Sequence, residues 1–312
     1  MNSVAVIGAG AWGLALSLQA QRAGRRVTLW ARDPARVGAR LPGVALPAAI
    51  TVTGTLPAAD LVLLAVPLQH LRGIAAALPP GGPLLCCAKG IEAGSLALPL
   101  EILAEAQPGR PAGVLSGPNF AREIAAGQPA AAVVAADTEA LRAEIVAALA
   151  SAAFRLYGND DPVGAQVGGA AKNVIAIAAG AVIGAGLGEN ARAALITRGL
   201  AELGRLAAAL GGRAETVAGL SGLGDLLLTA TSPASRNYSF GLELGAGAGV
   251  AEILARRSAV TEGVATAPAL VARAMRAGAA VPVCAAVAGV VGGRITLQQA
   301  IAALLARRLR DE

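Results

Sequence analysis

Two lysines stand where an ammonium group could take part in catalysis. Lys89 directly follows the apolar run 84–88, and Lys172 stands beside Asn173 at the start of a long apolar stretch. Burial lowers the pKa of a lysine, and a second cation nearby lowers it further. A lysine tuned in this way transfers a proton near neutral pH. Most lysines are simply solvated, but these positions favour Lys172 as a proton donor with Lys89 as the neighbouring cation.

Downstream residues predict a site for an anion. Asp225 supplies a carboxylate next to a glycine-containing turn, and Ser235, Arg236 and Asn237 are consecutive. The arginine offers a planar fork of donors that suits phosphate, and the hydroxyl and amide can complete the shell. Taken singly, each residue also fits a helix cap or a surface charge. Together they indicate an anion-binding constellation.

A glycine pattern near the start of the chain predicts a dinucleotide-binding turn. Gly8, Gly10 and Gly13 follow an apolar strand and open a helical pattern. Gly8 permits a tight turn, Gly10 lets the backbone approach a pyrophosphate, and Gly13 permits close packing. The N-terminus of the helix attracts the negative charge. The chain has 40 glycines, so the spacing alone is weak evidence. The motif becomes specific because it lies between a predicted strand and a predicted helix.

The end of the second predicted strand bears on which nicotinamide cofactor is used. Arg32 and Asp33 follow the run 26–30. An arginine at this point accommodates a 2′-phosphate, whereas an acidic residue binds the ribose hydroxyls. Arg32 therefore favours NADPH, while Asp33 leaves NADH open. A solvated arginine–aspartate pair is the remaining alternative.

The single histidine and the three cysteines exclude several kinds of chemistry. With only His70, which follows the predicted strand 61–66, the chain cannot build a His-rich metal site. No carboxylate partner can be identified for His70, so we interpret it as a loop residue. Cys86, Cys87 and Cys284 match neither a disulfide framework nor a metal-ligand spacing. We expect buried thiols in a reducing compartment and no metal.

The elements that position these residues alternate in the first half of the chain. Apolar runs alternate with helical segments, which is typical of βαβ units and a mostly parallel sheet. We predict a doubly wound α/β Rossmann domain over residues 1–159. Its strands are predicted at 3–7, 26–30, 61–66, 84–88, 113–115 and 130–135.

Strand signals disappear after the run 153–157. Asp161 and Pro162 read as an N-cap followed by proline at the first helical position. They open a long alanine-rich helix, and we predict an all-helical domain over residues 160–312. Further helix starts are predicted at or near Asn190, Pro268 and Thr296.

Composition favours a two-domain protein that acts on small anions. The 312 residues exceed the size at which one hydrophobic core usually keeps growing. The net charge is +6, but the basic residues are dispersed and not interleaved with aromatic ones, which argues against nucleic acid. Small anionic ligands fit better.

The apolar content does not predict a membrane protein. Alanine is the commonest of the hydrophobic residues, which make up 55% of the chain, and only 2% of the chain is aromatic. The purely apolar part of the stretch 171–188 runs over 174–187, which suits a buried core helix and is short for a membrane span. Residues 1–3 lead straight into a strand without a signal peptide. We expect a cytoplasmic protein.

Together these motifs resemble one family. The sequence is similar to bacterial NAD(P)-dependent glycerol-3-phosphate dehydrogenases over nearly its whole length. Eight sequence segments resemble family motifs and occur in the same order as in the family. They are 8–13, 88–92, 116–121, 168–177, 190–203, 222–228, 235–237 and 262–263.

The resemblance implies roles for individual residues. Lys172 is the implied proton donor and acceptor, with Lys89 and Asp225 as its catalytic partners. The implied substrate contacts are Lys89, Gly117, Asn119, Lys172, Asp225, Ser235, Arg236 and Asn237. The implied cofactor contacts, beside the three glycines, are Ala11, Trp12, Arg32, Lys89, Ala121, Arg236, Val260 and Glu262.

The resemblance also implies an activity. We expect reversible reduction of dihydroxyacetone phosphate, a phosphorylated triose, to sn-glycerol 3-phosphate with NADPH or NADH, supplying glycerol phosphate for phospholipid synthesis. It further implies a homodimer and a C-terminal domain like that of 6-phosphogluconate dehydrogenase.

The sequence departs from the family in two places. Asn119 stands where a hydroxyl residue is more usual, and the segment 33–60 is shortened but keeps Leu41, Pro42 and Gly43. The first departure is expected to retune a substrate hydrogen bond, and the second to alter contacts with the adenosine end of the cofactor.

Three alternatives remain open from sequence. One is a related two-domain reductase acting on a 3-hydroxy acid or a phosphosugar acid. Another is a nucleotide-binding regulator without catalysis, which Lys89, Lys172 and Asp225 disfavour because a sensor has no use for a proton donor. The third is a membrane protein, which the broken apolar runs disfavour.

Overall fold

The structure is a computed structural model that describes residues 1–37, 41, 43–257 and 260–306. Pro42, in the shortened segment, lies outside the described residues. The chain divides into two compact units. The first comprises Met1–Lys89 and Ala97–Gln166, and the second comprises Gly90–Leu96 and the chain from Val167 onward.

An eight-stranded sheet forms the centre of the first unit. Its order is β3-β2-β1-β4-β5-β6-β7-β8, and all neighbours are parallel except β6 and β7. The predicted doubly wound, mostly parallel α/β fold is therefore confirmed. The strands are β1 (Ser3–Ile7), β2 (Arg26–Trp30), β3 (Ile50–Thr53), β4 (Leu61–Leu64), β5 (Leu84–Cys86), β6 (Ala112–Ser116), β7 (Ala130–Ala135) and β8 (Phe154–Asn159).

The main differences from the predicted sheet are one missed strand and two strands that end early. Sequence reasoning missed β3, which is only four residues long and pairs with β2 alone, at the edge of the sheet. β4 and β5 end two residues earlier than predicted. Ala65 N still donates to Ile7 O, and Cys87 N to Leu64 O, before the chain leaves the ladder.

Helices cover the sheet and bury its strands. β4 is buried at every residue, as expected for a parallel strand with both faces covered. One apolar cluster joins β1, α1 and β4 through residues such as Val6, Leu16 and Leu63. The helices of this unit are α1 (Ala11–Arg22), α2 (Leu71–Ala76), α3 (Pro99–Ala106), α4 (Ala121–Ala125) and α5 (Glu139–Leu149).

The second unit contains helices and, among its described residues, no strand, as predicted. Its long first helix, α6 (Pro162–Gly184), starts in the first unit. The others are α7 (Gly188–Ala209), α8 (Ala214–Ala218), α9 (Asp225–Thr231), α10 (Arg236–Gly245), α11 (Val250–Arg256), α12 (Glu262–Arg276), α13 (Pro282–Val291) and α14 (Leu297–Leu305).

α6 is a buried core helix with the length and apolar composition of a membrane-spanning helix. Among the helices described it alone is long and apolar enough to cross a membrane, and 83% of its most apolar 18-residue stretch is buried inside the protein. Glycines explain the burial. A Cβ at Gly180 would lie 2.0 Å from Tyr238 O, and one at Gly241 would lie 2.0 Å from Ile177 O. The backbones of α6 and α10 therefore pack directly against each other.

Two of the three predicted helix starts in this unit are wrong. Asn190 is the third residue of α7, because the chain enters that helix through Gly186 and Gly188, whose φ angles of 74° and 85° favour glycine. Pro268 lies inside α12, which begins at Glu262. Thr296 is confirmed as the N-cap of α14, where its hydroxyl accepts from Gln299 N.

Candidate active site

The glycine turn of the first unit has the geometry of a pyrophosphate-binding turn. Gly8 has a φ of 115°, and a Cβ there would lie 2.7 Å from Ala65 O. A Cβ at Gly13 would lie 1.7 Å from Gly8 O, so the first turn of α1 rests directly on the strand end. A Cβ at Gly10 would meet no protein atom within 4 Å. Open space therefore lies beside the N-terminus of α1, where backbone N–H groups attract an anion.

Ala11 and Trp12 are the first residues of α1, and both are partly buried beside this turn. Arg32 is exposed just beyond the end of β2. The carboxylate of the next residue, Asp33, has two local partners. Its Oδ1 accepts from Ala35 N at 3.2 Å, and its Oδ2 lies 3.2 Å from Arg36 Nε. The Asp33 carboxylate is thus engaged in capping the short 3₁₀ turn Pro34–Arg36.

Lys89 and the turn after β6 meet in the first unit. Lys89 Nζ donates to Gly117 O at 3.4 Å. Gly117 has a φ of 137°, and a Cβ there would lie 3.0 Å from Ala132 Cα, so the position requires glycine. The structure thus brings together two residues that lie 28 positions apart in the sequence.

Asn119 is fixed in the same turn. Its Nδ2 donates to Ala131 O at 3.2 Å. Its Oδ1 is buried and has no hydrogen-bond partner within the described part of the chain. A buried acceptor is costly when it is left unsatisfied. The side chain therefore presents an acceptor that suits a ligand's donor group. Ala121 follows as the first residue of α4.

A buried ammonium group lies at the centre of the second unit. Lys172 of α6 is 8% exposed, and its Nζ forms an ion pair with Asp225, which is fully buried. Lys172 Nζ also donates to Thr229 Oγ1 at 3.1 Å, and the Thr229 hydroxyl lies 3.5 Å from Asp225 Oδ1. The carboxylate offsets the burial of the positive charge, which would otherwise be strongly unfavourable.

The turn before α9 and its packing against α6 fix the relative positions of Lys172 and Asp225. Asp225 is the first residue of α9, directly after the π-helical turn Leu220–Gly224. Such turns occur frequently at functional sites. A Cβ at Gly222 would lie 1.9 Å from Val217 O, and one at Gly168 of α6 would lie 2.5 Å from Ser221 O. The two glycines let the turn pack against α6 and α8, which brings Asp225 to Lys172.

An amide network joins α6, α10 and α12. Asn237 Nδ2 donates to Asn173 Oδ1 at 2.8 Å, and Asn237 Oδ1 accepts from Gly263 N at 2.9 Å. Asn173 Nδ2 lies 3.5 Å from Glu262 Oε2. A Cβ at Gly263 would lie 2.7 Å from Asn173 O, so this approach also requires glycine. Asn237 and Glu262, predicted to contact substrate and cofactor, therefore share one network.

The residues predicted to bind an anion lie at the N-terminus of α10. Ser235 is the N-cap, and its Oγ accepts from Tyr238 N at 3.2 Å. Arg236 is exposed, whereas Ser235 and Asn237 on either side of it are buried. The guanidinium therefore extends from an ordered helix start. Val260, which is 52% exposed, precedes Thr261, the N-cap of α12.

The histidine and the cysteines offer no nucleophile. His70 is exposed in the short 3₁₀ turn Leu68–His70 that precedes α2. All three cysteines are buried free thiols, as predicted. Burial raises the pKa of the Cys86 thiol to about 12 and holds the pKa values of the Cys87 and Cys284 thiols well above their usual range. These thiols stay protonated at neutral pH.

Sequence reasoning missed Thr229 and the part played by Asn173. A signal for Thr229 was present: Asp225 and Thr229 are four residues apart, a spacing that places two side chains on one face of a helix. Asn173 was noted beside Lys172 but given no role. Its partners lie 64 and 89 residues away, a distance that no local pattern reveals.

Comparison with known proteins identifies relatives over the full chain. Two family models, described as the N-terminus and the C-terminus of NAD-dependent glycerol-3-phosphate dehydrogenase, match residues 3–142 and 161–302. The glycerol-3-phosphate dehydrogenase (NAD(P)+) of Acidiphilium cryptum is 57% identical over 317 residues, covering 99% of this chain and 98% of that protein. The protein of the same name from Gluconobacter oxydans is 52% identical, covering 97% of each.

A solved structure agrees with these matches. The crystal structure of glycerol-3-phosphate dehydrogenase from Coxiella burnetii is 34% identical in sequence and superposes with a TM-score of 0.93. It covers 98% of this chain, which in turn covers 99% of that structure. These likenesses favour the resemblance inferred from the motifs over the alternative of a different two-domain reductase.

Proposed function

The chain belongs to the NAD-dependent glycerol-3-phosphate dehydrogenase family, and from this membership we propose which residues carry out its reaction. It is an NAD(P)-dependent oxidoreductase that interconverts dihydroxyacetone phosphate and sn-glycerol 3-phosphate. The residue assignments that follow are proposals, and the buried cluster of Lys172, Asp225 and Thr229 is the observation that carries them.

Lys172 is the proposed proton donor. Reduction of the C2 carbonyl creates an alkoxide, which must take up a proton. The Lys172 ammonium is pre-oriented by Asp225 and Thr229, and a positioned donor of this kind contributes about 10²- to 10⁴-fold to the rate. In the reverse direction the neutral amine removes the proton from the hydroxyl. Asp225 acts by holding the amine in place and balancing its charge.

Lys89 and the turn after β6 are proposed to bind the reacting end of the substrate. The Lys89 ammonium would stabilise negative charge that develops on the C2 oxygen. Gly117 holds Lys89 through its carbonyl oxygen. The buried Oδ1 of Asn119 would accept a hydrogen bond from a substrate hydroxyl. An amide fixed by Ala131 O can only accept there, whereas the hydroxyl residue usual at this position can also donate.

The N-terminus of α10 is proposed to hold the phosphate. Arg236 supplies an exposed guanidinium, a group that binds phosphate through two parallel hydrogen bonds. Ser235 and Asn237 are anchored on either side of it. They fix the start of the helix and complete the polar shell.

The glycine turn is proposed to bind the cofactor pyrophosphate, and the open space at Gly10 fits that group. When bound, the reduced nicotinamide supplies the hydride to C2 of the substrate. Arg32 would bind a 2′-phosphate, and NADPH is favoured because the Asp33 carboxylate is engaged with Ala35 N and Arg36. Trp12, Ala121, Val260 and Glu262 are the further proposed cofactor contacts.

Residues 1–159 are accordingly proposed as the cofactor-binding domain, and residues 160–312 as the catalytic domain. We also propose that the enzyme is a cytoplasmic homodimer that supplies glycerol phosphate for phospholipid synthesis. The homodimer and the role in phospholipid synthesis rest on the family alone.

The activity is tested by following absorbance of the reduced nicotinamide with purified protein and dihydroxyacetone phosphate. NADPH and NADH are supplied in separate reactions. We expect oxidation with both cofactors and a higher kcat/KM with NADPH. A folded protein that binds nucleotide but oxidises neither cofactor would overturn the substrate assignment.

A further inference from the structure

Arg257 binds one face of α10, the helix whose first residue is Arg236. Its Nη1 donates to Arg236 O at 2.8 Å, and its Nη2 donates to Ser239 Oγ at 3.2 Å. Nη2 also forms an ion pair with Glu243, and Cζ lies 5.7 Å from the centre of the Phe240 ring. The guanidinium thus contacts α10 over two turns.

The four partners follow helical spacing. Positions 236, 239, 240 and 243 lie on one face of an α-helix. A guanidinium is a planar fork of donors, and here it lies along that face with its side chain only 17% exposed. The neighbouring Arg256 differs. Its side chain is 56% exposed, and its ion pairs are with Glu243 and Glu252.

The contact with Arg236 O acts on the start of α10. Arg236 O also accepts from Ser239 Oγ at 3.2 Å, and Ser239 Oγ accepts from Arg257. These bonds close a small ring around the carbonyl of the first helical residue. The amide network through Asn237 holds the next residue in place. The exposed Arg236 side chain therefore extends from a backbone that is held at two points.

We propose that Arg257 is a positioning residue for phosphate recognition, because it fixes the turn of α10 that presents the Arg236 guanidinium. This inference rests on the proposed function, in which Arg236 binds the substrate phosphate. Arg257 itself contacts no substrate in this account. Arg257 orders the Arg236 backbone in the free enzyme, so the conformational entropy of that backbone is not lost when the phosphate binds.

The test compares Arg257→Met with Arg256→Met, a matched control that also breaks an ion pair to Glu243 but leaves Arg236 O untouched. For each variant, kcat and KM are measured with dihydroxyacetone phosphate and with phosphate-free dihydroxyacetone at high concentration. For Arg257→Met we expect a roughly tenfold or larger rise in KM for the phosphorylated substrate, since misplacement of a binding group by about 1 Å can lower rates about 10²-fold. Efficiency with dihydroxyacetone should fall far less, and Arg256→Met should stay within about twofold.

A conservative variant guards against a folding defect. Arg257→Lys keeps a cation beside Glu243 and Phe240 but lacks the fork that holds Arg236 O and Ser239 Oγ together. Its KM for dihydroxyacetone phosphate should lie between those of the wild type and Arg257→Met. Equal KM values in Arg257→Lys, Arg256→Met and the wild type would overturn the inference. A loss that is equally large for both substrates would also overturn it, because a general structural role predicts that result.

Arg236→Ala separates this inference from the function on which it rests. If Arg236→Ala loses efficiency with dihydroxyacetone phosphate selectively and the Arg257 variants do not, the positioning role is wrong and the phosphate assignment stands. If Arg236→Ala shows no selective loss, the phosphate assignment itself is wrong, and the positioning role fails with it.

Discussion

Lys172 of α6 and Asp225 of α9 form an ion pair in the interior of the helical unit, and Thr229 is hydrogen-bonded to the same ammonium group. The lysine is 8% exposed and the aspartate is fully buried. Both charges have left bulk water, so each depends on the other for compensation. The proposed proton donor is therefore held in a fixed position by Asp225 and Thr229.

Removal of the aspartate charge should reduce both stability and rate. Asp225→Asn keeps the shape of the side chain but removes the negative charge that pairs with the Lys172 ammonium, and breaking a buried pair in this way costs about 3–5 kcal/mol. We expect that loss in the free energy of unfolding, measured with urea, together with a lower kcat. Glu105→Gln is the control, because it breaks an exposed ion pair with Arg72, and such pairs contribute about 0–1 kcal/mol. Equal losses in the two variants would contradict the account.

Gly10→Ala should impair cofactor binding without harming the fold. The added Cβ meets no protein atom within 4 Å, so the free energy of unfolding should stay within about 1 kcal/mol. The methyl group would occupy space proposed for the pyrophosphate, and we expect KM for NADPH to rise about 10- to 100-fold, as for one lost hydrogen bond to a charged group. Gly73→Ala in α2, also with open space around its Cβ, is the control and should leave KM unchanged.

Gly13→Ala, in contrast, should destabilise the fold. Its Cβ would lie 1.7 Å from Gly8 O, so α1 must move, at a cost of roughly 1–3 kcal/mol or more. If Gly10→Ala unfolded as easily as Gly13→Ala, the assignment of separate roles to the two glycines would be wrong.

Arg32→Ser should change the cofactor preference. If the guanidinium binds the 2′-phosphate, its removal should lower kcat/KM for NADPH about 10- to 100-fold and change the value for NADH little. Arg26→Ser is the matched control, because Arg26 is exposed at the opposite end of β2, and it should leave kcat/KM for both cofactors unchanged. Equal effects of Arg32→Ser on both cofactors would show that Arg32 does not distinguish them.

The buried carboxylate of Glu202 should give stability a specific pH dependence. Glu202 accepts hydrogen bonds from Val283 N and Cys284 N at the start of α13, and burial raises its pKa above the ordinary value of 4.5. The folded state thus binds this proton more tightly than the unfolded state does. The contribution of Glu202 is most favourable at low pH and declines as pH rises from about 4.5 through its folded pKa.

Urea unfolding of the wild type and of Glu202→Gln over this pH range measures that contribution. The difference in unfolding free energy, wild type minus variant, should fall as pH rises. A difference that rises with pH would mean that the two N–H groups outweigh the effect of burial.

Much of the first unit was predictable because its signals are local. The spacing of Gly8, Gly10 and Gly13 after a strand depends on a few adjacent residues, and the structure assembles the turn as the pattern predicts. The edge strand β3 was missed because four residues that pair with β2 alone leave a weak apolar signal.

The contacts of the second unit were less predictable because they join distant segments. Lys172 and Asp225 were each identified, but their pairing depends on how α6 packs against α9, 53 residues away. Likewise, Pro268 suggested a helix start, but α12 begins six residues earlier, at Glu262, where Asn237 Oδ1 accepts from Gly263 N. Local helix signals cannot include a hydrogen-bond partner from another helix.

The central claim is that Lys172 transfers the proton, and the turnover of Lys172→Ala tests it most directly. With saturating NADPH and dihydroxyacetone phosphate, we expect kcat to fall about 10²- to 10⁴-fold, while the Kd for NADPH, measured by fluorescence titration, stays within about twofold. A variant that binds NADPH normally and retains wild-type turnover would contradict the account.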